Sequence, residues 1–549
     1  MDFPSRQPPA KLQAMPGNTD MGFQDTLSAL NDRGGWRMAM QDAWACPVGV
    51  IACLDTARAR QSPGVVLGLI FAAAKVGQTE EARRAFERFL PLIKKAALQD
   101  TGLAADVVLV DVHLSIYEDR ICDAAMAERV RWAQARLRED DWIGRALVSN
   151  HLCNIALQMG DFDRGQKHAE DAIALYRRGG AVFGALHLHT HLAQIRLARG
   201  DLRAASEVLK TMEAELRAMP GPTQNLVAVS RILQAEVAYE ANDLPAARHL
   251  RDAAFRFVEG HDAWSDILVA AYRVNARLAF ADAGLPGALE AMSHGERIAV
   301  ERRMPRLRRL MQVERLRALA LSNEIKAAQR LLEDIGLTTD RAVIEESDDF
   351  ALRQGSTLVA AARLLTRTRR AREALGFIAT AEDLAIRRGQ LLALAKLRVI
   401  AAHAHWSLGT KTEAVGSLLS AIRLLGDQPF ARFIIDEGDD MHAIVQAVLD
   451  GDHVSVPPTR AQRRRLSDIL LHWTGAPRAT RHDAGDEAQA LRRRYLELLA
   501  LGHTNKEIGR IMGVSTNTVK YHLKHIFRDL RADNRARAVQ RARDLGYLA

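Results

Sequence analysis

Two lysines four residues apart, Lys520 and Lys524, share one face of a helix predicted near the C-terminus. The side chains that flank them are Thr516, Asn517, Tyr521 and Arg528. A helix with such a face fits the major groove of B-DNA, where lysines can reach guanine edges or phosphates. The alternative is a small basic bundle packed against the rest of the chain. So dense a cationic face would then repel itself, which favours a polyanion as its partner.

The charge of the chain is concentrated at the same end. From residue 488 to the C-terminus there are 13 Lys and Arg against 5 Asp and Glu, a net charge of +8, whereas the whole 549-residue chain carries +9. The remaining 487 residues are therefore close to neutral. A near-neutral body with a small basic end is typical of a sensor or scaffold joined to a module that binds a polyanion.

Capping residues and apolar spacing predict four helices in this basic end. The first helix ends at Gly502, Thr504 and Glu507 form a capping box for the second, Ser515 caps the third, and Asn534 caps the fourth. The inward-facing residues of the last two helices are predicted to be Val519, Leu523, Ile526, Phe527, Leu530, Ala538, Val539, Ala542 and Leu545. Two short helices joined by Gly-Val-Ser make a helix-turn-helix.

The segment HTNKEIGRIMGVSTNTVKYHLKHIFRDL, with NRARAVQRARDLG after it, closely resembles the C-terminal DNA-binding domain of LuxR-type (GerE-type) transcription regulators. The resemblance covers roughly 45 residues and implies that the third helix reads bases. It assigns base reading to Lys520, Tyr521 and Lys524. It assigns phosphate contacts to Asn505, Lys506, Thr518 and Arg528, and a dimer contact to Ala538, Val539 and Ala542.

The body of the chain is predicted to be a repeat array. Short polar turns recur with a period of about 41 residues, at Gly77, Asp119, Gly160, Gly200, Asn242, Ala283, Asn323, Arg369 and Gly409. A small residue follows each turn by five positions, and an apolar residue precedes each turn by five. This pattern predicts helix hairpins, because a small residue lets the second helix approach the first closely.

The predicted fold is therefore all-α: a superhelical array of about nine tetratricopeptide-like hairpins, followed by a four-helix LuxR-type helix-turn-helix domain. We expect a disordered tail over 1–35, repeats over 36–450, a linker over 451–487 and the DNA-binding domain over 488–549. Residues 429–441 (PFARFIIDEGDDM) are similar to the segment that closes the repeat domain of the large ATP-binding LuxR regulators. The ATPase module of those regulators has no room in this sequence, so ATP-driven oligomerisation is not expected.

No cofactor, metal site or enzymatic activity is expected. His187, His189 and His191 alternate, but in a helix only His187 and His191 share a face, and no HExxH pattern completes a metal site. We interpret them as polar residues on or near the groove of the repeats. The four cysteines form no CxxC pair and the N-terminus has no signal-peptide core, so we expect a cytoplasmic, nucleoid-associated protein without a membrane segment.

The leading hypothesis is a sequence-specific, DNA-binding transcription regulator that binds double-stranded operator DNA as a homodimer. Its repeats would sense a small molecule or a protein, and RNA polymerase is an expected partner if it activates transcription. The alternative is an interaction scaffold whose repeats bind partner proteins and whose basic end only localises the complex.

Overall fold

The computed structural model describes residues 28–31, 34–41, 51, 54, 56–221, 223–260, 264–336, 355–368, 370–475, 494–512, 519, 523, 526–527, 532 and 534–544. The regular elements in these residues are helices. Contacts between Cα atoms divide the chain into two compact units, 1–467 and 468–549. The described part contains no helix with the length and apolar character needed to cross a membrane.

Nine helix hairpins make up most of the described part of the first unit, and they are numbered here in chain order. Their helices are Pro63–Lys75 with Thr79–Ala97, Thr101–Tyr117 with Ala124–Gln134, Trp142–Gln158 with Phe162–Arg178, Val182–Ala198 with Leu202–Ala218, Gln224–Glu240 with Leu244–Gly260, the two parts of Ser265–Glu301, Pro305–Leu321 with Ile325–Asp334, Gly355–Arg367 with Ala371–Arg387, and Leu391–Ser407 with Lys411–Leu424. The predicted superhelical array of hairpins is confirmed.

In eight of the nine hairpins, the turn falls where the sequence predicts it. Positive φ angles occur at Gly77, Asp119, Gly160, Gly200, Asn242, Asn323 and Gly409. In hairpin 6 the long helix Ser265–Glu301 breaks at Ala283, and Gly284 has a φ of 62°. Arg369 lies outside the described residues. A residue in the left-handed backbone conformation ends a helix and reverses the direction of the chain. Gly, Asn and Asp tolerate this conformation best.

The residues predicted to hold each hairpin together are mostly buried. Five positions after the turn, all but one of the nine residues are buried. The exception is Ala124, which is exposed because the turn of hairpin 2 is longer and its second helix begins only at Ala124, capped by Asp123. Ala127 takes the inward position in that helix and is 7% exposed. Of the residues five positions before the turn, only Val237 is not fully buried.

The array coils until its last hairpin contacts hairpins 3 and 4. The Gln390 side chain of hairpin 9 donates a hydrogen bond to the carbonyl oxygen of Gly160 in hairpin 3, at 3.3 Å. Arg203 of hairpin 4 pairs with Asp427, which follows hairpin 9, at 2.6 Å. The chain then returns through the short helix Arg432–Ile435, where the Ala431 N–H donates to the Glu240 carbonyl oxygen at 2.9 Å. The helix Asp439–Asp450 follows.

Ordered structure extends beyond the predicted boundaries of the repeats. Residues 28–31 are helical with Leu30 fully buried, inside the predicted 1–35 tail, while 1–27 lie outside the described residues. The predicted 451–487 linker contains the helix Arg460–Gly475. Its Arg465 donates to the carbonyl oxygens of Gly426, at 2.7 Å, and Phe430, at 3.1 Å, which ties the start of this helix to the end of the repeats.

Candidate functional site

The second unit contains a small helical core at the predicted helix-turn-helix. Residues 494–500 and the helices Asn505–Met512 and Arg535–Asp544 surround it, and positions 519, 523, 526 and 527 are also helical. The buried residues of this core include Tyr495, Leu498, Leu499, Ile508, Val519, Leu523 and Ile526. Val519, Leu523 and Ile526 are among the residues that the sequence predicts to face inward.

The predicted capping box is present at the start of the second helix. The Thr504 N–H donates to Glu507 Oε2 at 2.7 Å, and the Glu507 N–H donates to Thr504 Oγ1 at 3.3 Å. The hydrogen bond from the Thr504 backbone lowers the pKa of Glu507. Asn505 is partly exposed and Lys506 is exposed, so both side chains can reach a ligand from this end of the helix.

The fourth helix is fixed at its start by two interactions. Asn534 Oδ1 accepts a hydrogen bond from the Arg537 N–H at 2.9 Å, as the predicted cap requires. Arg535 Nη2 donates to the carbonyl oxygens of Leu499, at 3.1 Å, and His503. This role of Arg535 was not predicted, since an arginine in a basic segment carries no signal of an inward contact.

Two of the three residues assigned to a dimer contact lie inside the domain. Ala538 and Ala542 are fully buried in the core of the domain, whereas Val539 is partly exposed. A second copy could therefore reach Val539 and the exposed residues beside it, but not the two alanines. Lys520, Tyr521, Lys524, Thr518 and Arg528 lie outside the described residues.

A second candidate site is a cavity of about 220 Å³ inside the coiled repeat array, called the central cavity here. Six cationic and six acidic side chains are among the described residues that line it. The cations are Arg273, Arg277, Arg317, Arg363, Lys396 and Arg432, and the acids are Glu236, Glu240, Asp266, Glu314, Asp436 and Glu437. The formal charge of this lining is therefore balanced.

Ion pairs link the first helices of successive hairpins across this cavity. Arg277 of hairpin 6 pairs with Glu240 of hairpin 5 at 3.1 Å and with Glu314 of hairpin 7 at 2.7 Å. Lys396 also pairs with Glu240, at 2.7 Å. Glu240, Arg277 and Glu314 are spaced by 37 residues, which is shorter than the repeat period, so each lies about one helical turn earlier in its helix than the one before it. This acid–arginine–acid spacing is the signal that could have indicated from sequence that charged side chains pair between neighbouring hairpins.

The returning segment 428–437 supplies the other side of the central cavity. Asp436 pairs with Arg317 and, at 2.5 Å, with Arg432, and it accepts a hydrogen bond from the Tyr239 hydroxyl at 3.0 Å. Glu437 pairs with Arg363 of hairpin 8 at 2.5 Å. This segment overlaps residues 429–441, for which the sequence analysis gave a similarity. Its charged residues anchor it against hairpins 5, 7 and 8.

The buried acids of the central cavity are held in their charged form. Burial alone would raise the pKa of Glu314, but Arg277 and Arg317 lower it to about 2. Burial likewise opposes ionisation of Asp436, and Arg432 and Arg317 lower its pKa to about 2. Burial lowers the pKa of Lys396, while Glu240 opposes this shift. The lining is thus a fixed set of charges already paired with one another.

The histidine run lies beside a different and smaller cavity. His187 and His191 both line it, together with His113 and His151 of hairpins 2 and 3, while His189 does not. This agrees with the helical interpretation, in which only His187 and His191 share a face. Within the described residues, no group of three or more His, Cys, Asp or Glu side chains is placed to hold a metal ion.

Family comparisons match both parts of the chain. Residues 122–450, more than half of the chain, match the model described as the MalT-like TPR region. Residues 493–542 match the model of the bacterial regulatory proteins of the luxR family.

Similar proteins match over short stretches of about a tenth of the chain. A putative HTH-type transcriptional regulator, YhjB of Escherichia coli (strain K12), is 49% identical over 49 residues, 9% of this chain and 24% of that protein. The transcriptional activator protein PhzR of Pseudomonas fluorescens is 51% identical over 53 residues, 10% of this chain and 22% of that protein. The HTH-type transcriptional regulator AlkS of Alcanivorax borkumensis is 47% identical over 53 residues, 10% of this chain and 6% of that protein. The chain thus spans about a quarter or less of the length of these relatives.

Proposed function

We propose that this chain, which belongs to the family of the MalT-like TPR region and ends in a luxR-type domain, is a sequence-specific transcription regulator. In this proposal the C-terminal domain binds a two-fold related operator as a dimer. The observation that carries the proposal is the capped helical core at 494–544, which coincides with the match to the luxR family. The relatives named as transcriptional regulators support the same function.

The proposed DNA contacts divide into two groups. Lys520, Tyr521 and Lys524 read bases, as the resemblance to the family implies, and on an ideal helix these positions lie outside the face formed by Val519, Leu523 and Ile526. The phosphate contacts are Asn505, Lys506, Thr518 and Arg528. For Asn505 and Lys506 this is supported by their accessible place at a helix start, where backbone N–H groups and the helix dipole favour an anion.

The two roles predict different effects of mutation. Lys524→Ala should relax preference at one operator position by about 1–3 kcal/mol, whereas Lys506→Ala should weaken binding to all sequences alike. The measurement is a mobility shift of the full-length protein on an operator and on single-base variants, over a salt series. Each lost phosphate contact should reduce the log–log salt slope by about 0.9.

Lys94→Ala is the matched control, because Lys94 is an exposed lysine in the repeats. It should leave both affinity and specificity unchanged. Identical specificity profiles for Lys506→Ala and Lys524→Ala would refute the division of roles. Binding that does not weaken with salt would refute the DNA-binding proposal itself.

The proposed effector site is the central cavity, with a small polar molecule as the effector. Its volume of about 220 Å³ suits a small molecule better than a folded protein. Because its cations and acids balance, selection would rest on hydrogen bonds rather than on net charge. Effector binding would then control contact with DNA or, if the protein is an activator, with RNA polymerase. These contacts would take place in the cytoplasm, at the nucleoid.

Arg273 offers a test, since it is partly exposed in this lining and pairs with Glu236 at 2.6 Å. A metabolite that raises the melting temperature of the wild-type protein should lose that effect in Arg273→Gln. Arg248→Gln is the control, because Arg248 forms an exposed pair with Asp282 away from this lining. If every stabilising metabolite acts equally on Arg273→Gln, the central cavity is not the effector site.

A further inference from the structure

A second cavity, of about 40 Å³, lies between hairpins 1 to 4 and Trp264 at the start of hairpin 6, and it is called the histidine cavity here. Four histidines line it, at positions 113, 151, 187 and 191. Each of these four side chains is less than a tenth exposed. Lys75 and Asn154 line the same space. Neither the DNA-binding proposal nor the central cavity uses these residues.

Several polar atoms around the histidine cavity have no hydrogen-bond partner among the residues that the structure describes. They are both ring nitrogens of His151, His113 Nε2, His191 Nδ1, Asn154 Oδ1 and the Trp264 indole nitrogen. Proteins pair almost all buried polar atoms, because an unpaired one loses its hydrogen bonds to water and gains nothing in return. Six such atoms around one cavity therefore indicate that a polar molecule forms hydrogen bonds with them.

The donors among these groups define what the ligand must offer. The Trp264 indole nitrogen can only donate, so its partner must be an acceptor. Lys75 brings an ammonium group, which lies 4.9 Å from the Phe183 ring centroid and 3.8 Å from Met40 Sδ. Neutral histidines can donate or accept according to their tautomer, so they adapt to either kind of ligand atom.

The histidines contribute no positive charge near neutral pH. Burial lowers the pKa of His151 to about 3 and the pKa of His191 to about 4. Burial also lowers the pKa of His113 and of His187, in each case helped by the nearby charge of Lys75. Among the described residues that line the cavity, Lys75 is then the single formal charge, and it is positive.

We infer that the histidine cavity is a binding site for a short-chain carboxylate. The carboxylate oxygens would accept hydrogen bonds from Lys75, from the Trp264 N–H and from a histidine N–H. The short alkyl chain would lie against the apolar part of the lining, which includes Met40, Ile116 and Leu147.

The size of the space sets the length of the ligand. A water molecule needs about 10–15 Å³ measured in this way, so about 40 Å³ holds roughly three waters. This is the space of a carboxylate with roughly four or five heavy atoms, such as acetate or propionate. An aromatic acid such as benzoate is too large without movement of the hairpins.

Calorimetric titration of the full-length protein with sodium propionate tests the inference, with sodium chloride at equal ionic strength as the blank. Propionate should bind with a millimolar or lower Kd, within what so few heavy atoms allow. Propionamide has the same shape without the charge and should bind at least about 10-fold more weakly, since hydrogen bonds to a charged group are the stronger ones. Benzoate should give no heat of binding.

Two substitutions test the named donors. Lys75→Met should weaken propionate binding by about 10- to 100-fold, and Trp264→Phe, which removes the indole N–H, by about 3- to 10-fold. The matched controls are Lys94→Met and Trp132→Phe, because both residues are exposed on hairpins 1 and 2. Both controls should bind propionate like the wild type.

A melting curve for each variant separates loss of binding from loss of folding. Equal affinity for propionate and propionamide would overturn the carboxylate assignment. So would unchanged propionate affinity in a folded Lys75→Met variant. No binding of acetate or propionate at tens of millimolar would show that the cavity holds only water and would overturn the inference. No DNA is present in these titrations, so their outcome is independent of the proposed regulator function.

Discussion

Replacing Arg277 with methionine should strongly destabilise the repeat array. Arg277 is fixed between Glu240 and Glu314 by ion pairs of 3.1 and 2.7 Å, and its side chain is only 10% exposed. Methionine fills much of the same space but carries no charge. Glu240 keeps its pair with Lys396 at 2.7 Å, whereas Glu314 loses the cation that contributes most to lowering its pKa.

The expected loss of unfolding free energy is about 3–5 kcal/mol, the usual cost of leaving one member of a buried ion pair alone. A second substitution, Glu314→Leu, removes the stranded carboxylate. Because replacing both members of a buried pair by apolar residues is often neutral, the double variant Arg277→Met/Glu314→Leu should recover most of that loss.

The assay is urea unfolding of the full-length variants followed by circular dichroism. Arg248→Met is the matched control, since Arg248 forms an exposed pair with Asp282 in the same part of the array, and it should cost about 1 kcal/mol or less. A loss below about 1 kcal/mol for Arg277→Met would refute the reasoning. A double variant less stable than Arg277→Met would refute it as well.

Three further predictions concern other parts of the chain. Thr504→Ala removes half of the capping box and should cost the C-terminal domain about 1 kcal/mol in a melting experiment, whereas Thr504→Ser should cost little. Asn323 has a φ of 59°, so Asn323→Ala should destabilise the repeats by about 1–2 kcal/mol and Asn323→Gly should not; equal urea midpoints for the two variants would contradict this. Acid should unfold the repeats between pH 4.5 and about 2, because the pKa values of Glu314 and Asp436 fall from 4.5 and 3.8 to about 2 on folding. The contribution of these two carboxylates to stability is complete above their pKa values in the unfolded chain, and it is lost as the pH falls through their pKa values in the folded protein. A urea midpoint that stays flat over this pH range would therefore contradict the assignment.

The hairpins were predictable because each one is encoded locally. A turn residue that tolerates positive φ and an inward residue five positions away recur in most units, and Gly160 with Ile155 shows the pattern at its simplest. The capping box at Thr504 was predictable for the same reason, since its two residues are three positions apart. Ala124 shows where such a local pattern fails. The longer turn of hairpin 2 displaces the inward position along the second helix, so that Ala127 becomes the inward residue.

The cavities were not predictable in the same way because they depend on the twist accumulated over many hairpins. The contact of Gln390 with Gly160 joins residues 230 positions apart, and no local pattern encodes it. His113 and His151 belong to separate hairpins and gave no signal individually, while the visible run at 187–191 suggested only the shared face of its own helix. Residue spacing identified the members of each face, but not which faces meet.

The buried charges of the central cavity are better explained by binding than by stability. Removing a charge such as that of Arg277 or Asp436 from water costs several kcal/mol, and its partner returns that cost only when the geometry is excellent. An apolar lining of the same shape would serve the stability of the array at least as well. A polar ligand, in contrast, needs donors and acceptors that are already fixed in place, because ordering them on binding would reduce its affinity. The paired side chains on hairpins 5 to 9 and on the returning segment form such a fixed lining, and this is the physical reason for proposing the effector site there.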